Sequence, residues 1–124
     1  MGHLINGDLS PNIVDVLRQQ LTLNINLLVA EDKIRDEWEE YLKTYLEKIK
    51  HYNAMYENSL YDYSTTHYYN MHNTYMKLYE NAIQANYETV ASIINIIRRC
   101  RFIELLIDIH SQIDYKLLQK HEQK

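Results

Sequence analysis

After Pro11 the chain contains no further glycine or proline, although 113 residues follow it, and this absence limits its fold more than any other feature. The two glycines, Gly2 and Gly7, both precede that point. Sheet proteins turn every few residues, and their turns draw on Gly and Pro for the backbone angles they need. A chain without either must turn rarely, which points to long helices. The expected class is all-α, with helix content above about 70%.

Hydrophobic spacing supports this. Ser10-Pro11 suits a helix start, since Ser can cap and Pro is tolerated at the first helical position. Val14, Leu17, Leu21, Ile25 and Leu28 then recur at three- and four-residue steps. A second stripe runs through Ile34, Trp38, Tyr41, Tyr45, Ile49, Tyr52, Tyr56 and Leu60. A third comprises Met76, Tyr79, Ile83, Val90, Ile93 and Ile97, and a fourth Phe102, Leu106, Ile109, Ile113 and Leu117. Ser64 to Thr66 and Asn70 to Asn73 are the expected breaks, because their side chains compete for backbone hydrogen bonds. Arg98 to Arg101 is read as a turn or bend. Ala30-Glu31 contains no breaker, so the first two helices either meet at a junction or continue as one.

The expected architecture is a single compact domain of about four main helices, roughly 11–29, 32–62, 74–99 and 102–121. The stripes leave a four-helix and a globin-like arrangement both open. Residues 1–9 and 121–124 are expected to fray. Trp38, in the middle of its stripe, is expected to be largely buried.

Charge and cysteine usage narrow the function classes. A net charge of −4 weighs against a general nucleic-acid binder. No run of 18 apolar residues occurs, since Arg98, Arg99 and Arg101 interrupt the segment from Val90 to Ile109. Cys100 is the only cysteine, and the N-terminus lacks a basic region followed by an apolar run. The expected setting is the cytoplasm, or the host-cell cytoplasm for a viral source.

The motifs of catalysis are missing. No histidine has a glutamate three residues before it, the pattern of di-iron bundles. No glycine-rich phosphate cradle, Gly-x-Ser-x-Gly or zinc-ligand spacing is present. The reading is therefore of a non-enzyme, with no cofactor and no metal.

Tyrosine is the unusual component. There are twelve, and nine fall within residues 51–90. Buried tyrosine hydroxyls need partners, and tyrosine is enriched at interfaces. Tyr41, Tyr45, Tyr52 and Tyr56 are accordingly the candidate partner face, and the leading expectation is a regulatory or protein-interaction domain acting as a homodimer. The alternative is a sensor of a small apolar or fatty-acid-like ligand held between the C-terminal helices. Arg98, Arg99, Arg101 or His110 would then meet the ligand's polar head, and Asp114 lies one turn beyond His110. A helix C-terminus near Arg98–Arg101 would also account for the arginines through the helix dipole. Asn24 and Asn86 interrupt apolar registers, as register-setting asparagines do in coiled coils.

Overall fold

The computed structural model describes residues 12–60 and 63–122. It contains two helices, α1 (Ile13–Asn58) and α2 (Thr65–Glu122). They hold 46 and 58 residues, so helix content exceeds the expected 70% of the chain. The all-α reading holds, but the four-helix bundle does not. The Ala30-Glu31 junction is continuous helix, and so are Asn70–Asn73 and Arg98–Arg101. A polar residue exposed on a helix surface costs only a few tenths of a kcal/mol in propensity. Polar clusters alone therefore do not stop a helix that has packing along its length.

Local hydrogen bonds set the ends that the structure describes. Asn12 caps α1: its Oδ1 accepts from the Val14 N–H at 2.8 Å, and its carbonyl accepts from the Val16 N–H at 3.0 Å. Ser10 and Pro11, the expected start, lie outside the described residues, as do the lead-in and the last two residues. At the other end of α1 the Ser59 N–H and Oγ–H both donate to the Tyr56 carbonyl, at 3.2 and 3.0 Å. The Thr65 hydroxyl donates to the Ser59 carbonyl. The Tyr68 N–H donates to the Ser64 carbonyl at 3.2 Å, the first bond of α2. Hydroxyl groups therefore form the turn between the helices, where glycine or proline might be expected.

Along α1 the inward positions alternate by three and four residues without interruption, from Val14 to Ser59. Along α2 they run in the same way from Tyr68 to His110. This is the 3.5-residue repeat of helix–helix seams. The seam does not follow the most apolar stripe. Asn24 faces inward while Ile25 is exposed; Arg35 is half-buried while Ile34 is exposed; Leu42 takes the place expected for Tyr41. On α2 the inward positions include Ala82, Asn86 and Thr89, whereas Met76 and Ile83 face out. Small residues win these places because they let two backbones approach closely; Ala82 is 1% exposed.

The chain divides into two compact units. One combines residues 30–60 of α1 with residues 63–93 that lead into and form α2. It buries Ile49, Ser59, Ala82 and Thr89. Its seam is aromatic: Tyr75 lies 6.2 Å from the Tyr45 ring and is stacked on Tyr52 at 5.7 Å and 10°, and Tyr56 meets Tyr69 at 5.6 Å. Trp38 is half-buried, not largely buried, with its ring 5.7 Å from Tyr41. A seam between two helices leaves one side of an indole open to solvent.

The other unit pairs residues 12–29 with residues 94–122. It buries only Val14, Ile96 and Cys100. Among the described residues no helix is long and apolar enough to cross a membrane.

Candidate functional site

In the unit formed by 12–29 and 94–122, the seam uses Val14, Leu17, Leu21, Asn24 and Leu28 against Ile96, Cys100, Ile103, Ile107 and His110. A second row runs alongside it on each helix. On α1 this row is Ile13, Val16, Leu23 and Leu27, interrupted by Gln20. On α2 it is Phe102, Leu106, Ile109 and Ile113. Most of these side chains are open to solvent: Leu27 is 51% exposed and Phe102 60%. Leu17, Gln20 and Asn24 share one open groove with Arg99, Phe102 and Ile103, which puts the two rows on the same side of the unit. The result is an apolar face two helices wide.

The opposite side has a different character. Its groove is lined by Arg18, Leu21, Arg101, Glu104, Asp108 and Ser111. Arg18 and Asp15 are 3.8 Å apart there, both largely exposed. An exposed pair at that distance contributes about 0–1 kcal/mol. The unit is thus amphipathic across its two sides. An isolated Leu on a surface needs no explanation, but a contiguous row of Ile, Leu and Phe marks a surface that meets something apolar.

The residues singled out from sequence fall in separate places. Tyr45, Tyr52 and Tyr56 are half-buried and direct their rings at α2 of their own chain, while Tyr41 is half exposed and stacks on Tyr45 at 6.0 Å. Arg98 and Arg99 flank the groove on the apolar face, whereas Arg101 lies in the charged groove. All three are exposed within a continuous helix, so no helix end accounts for them. No pocket between two C-terminal helices exists, because the segments once expected as helices three and four are one helix. His110 is half-buried at the end of the seam. Cys100 is a free thiol in the seam, 7% exposed.

Arg35 is a feature the sequence pattern did not flag. It occupies a seam position in the unit formed by 30–93, where an apolar residue would ordinarily sit. Its guanidinium reaches Asp32 at 2.9 Å, Asp36 at 3.2 Å and Glu39 at 2.6 Å, all on its own helix. The hydrogen bond to Asp32 and then the charges of Asp32 and Glu39 raise its pKa above the ordinary arginine value, so it stays cationic. Its long stem covers the seam while the head stays with carboxylates in solvent. The signal in the sequence was the spacing of Asp32, Arg35 and Glu39, at three and four residues.

Among the described residues no three His, Cys, Asp or Glu side chains are grouped as metal ligands. The chain matches no family model, no curated protein and no solved structure.

Proposed function

We propose that this protein is a non-catalytic interaction domain that works by helix–helix association through the apolar face of the unit formed by 12–29 and 94–122. The observation that carries the reading is that face itself. Ile13, Leu23, Leu27, Phe102, Ile109 and Ile113 are all exposed on one side of a unit that buries only three apolar side chains. Helical layers are stable when an apolar face is covered by a second layer. Three of the four candidate tyrosines already pack inside the chain, so the apolar face supports association better than the tyrosine stripe does.

The groove between Leu17 and Phe102, with Arg99 at its edge, also suits an apolar tail with an anionic head. It is open along its length, whereas small-molecule sites bury about 70–90% of their ligand. A polypeptide partner therefore fits better. Native mass spectrometry of freshly purified protein separates the two readings. The interaction domain requires a species heavier than the 15.0 kDa chain, the added mass being polypeptide. A 15.0 kDa chain carrying a small molecule would replace it with the sensor.

A further inference from the structure

We propose that the occupant of the apolar face is a second copy of this chain, the two faces closing into a four-helix bundle about a twofold axis. The inference rests on the interaction reading and adds the partner's identity.

Width, chemistry and area argue for it. The face is two helices wide, and a twofold partner presents a surface of the same width and the same three- and four-residue spacing. A twofold interface is self-complementary, each patch meeting its own copy. The centre of the face carries no charge, so two copies bring no like charges together there; Arg98 and Arg99 stand beside the groove at one end. The six exposed apolar residues of the face offer roughly 600 Å², and the half-buried Val16 and Leu106 with the polar edge bring it close to the ~800 Å² that each partner gives a stable interface.

A lipid surface is the other apolar partner to weigh. Helices that lie on anionic membranes carry an excess of Lys and Arg on their polar side. Residues 12–29 and 94–122 contain six basic and five acidic side chains, close to neutral. The composition favours a protein face.

Sedimentation equilibrium of the full chain tests the proposal. The wild type should sediment at twice the 15.0 kDa chain mass at micromolar concentration. Leu27→Glu with Ile109→Glu should halve that mass while far-UV circular dichroism stays unchanged, since neither residue belongs to the intrachain seam. Phe102→Glu is a second, single change that should act in the same direction. Ile25→Glu with Val29→Glu, outside the two rows, should leave the dimer intact. A wild type at 15.0 kDa throughout, or a dimer that survives every substitution on the face, overturns the proposal.

Two further readouts separate this failure from failure of the interaction reading. A monomer may still bind anilinonaphthalene sulfonate, or cosediment with phosphatidylcholine–phosphatidylserine vesicles, and lose that property in Leu27→Glu/Ile109→Glu. Such a result overturns the second copy but keeps the face as a binding surface. A monomer that does neither removes both.

Discussion

At the scale of single residues, the seam carries polar groups whose energetic balance differs from one to the next. Asn24 donates through Nδ2 to the Gln20 carbonyl at 2.8 Å, and Thr89 donates to the Ala85 carbonyl at 3.0 Å. Asn86 is different: its Oδ1 is buried and has no hydrogen-bond partner among the described residues. A buried acceptor without a donor costs about 1–3 kcal/mol. Asn86→Leu should therefore raise stability, by about 1 kcal/mol once the cost of fitting a larger apolar side chain is included. Urea denaturation should show a higher midpoint with an unchanged slope; a lower midpoint would mean that Asn86 contributes more to the seam than its unpaired oxygen suggests.

At the scale of elements, the finding is the length of the helices. Continuity through Ala30 makes a direct prediction. Ala30 is exposed in the interior of α1, so Ala30→Gly should cost about 1 kcal/mol, the propensity difference within a helix. At a junction between two helices the same change would be nearly neutral, and the denaturation midpoint distinguishes the two. The helical class was legible in the sequence because missing breakers and periodic stripes point the same way. Tyr45, Ile49, Tyr52 and Tyr56 were placed on the correct side for the same reason. Helix ends were less legible. Asn70–Asn73 and Arg98–Arg101 look like stops locally, but packing on either side carries the helix through them. The face of α2 was misjudged because apolar content marks a stripe as buried without saying by what. Phe102, Leu106, Ile109 and Ile113 read as core, yet within this chain the seam passes through Ile103, Ile107 and His110 beside them. The row that looked like core from the sequence is the candidate interface in the structure.

At the scale of the whole molecule, the proposed association ties stability to concentration. Folding linked to dimer formation obeys mass action, so the melting temperature should rise as protein concentration rises. Leu27→Glu/Ile109→Glu should melt at one temperature regardless of concentration. A wild-type melting temperature that is likewise constant would count against a folded dimer. Cys100 gives the chain a means of timing its own opening. It is the only thiol, it lies in the seam next to Ile96, and it is 7% exposed. A disulfide reagent can reach it only when that part of the seam parts. Where reclosing outpaces the reagent, the labelling rate is the intrinsic thiol rate multiplied by the fraction of time spent open. The native sequence therefore carries a built-in clock for breathing of its most thinly cored unit, one that needs no introduced probe and should slow whenever a partner covers the adjoining face.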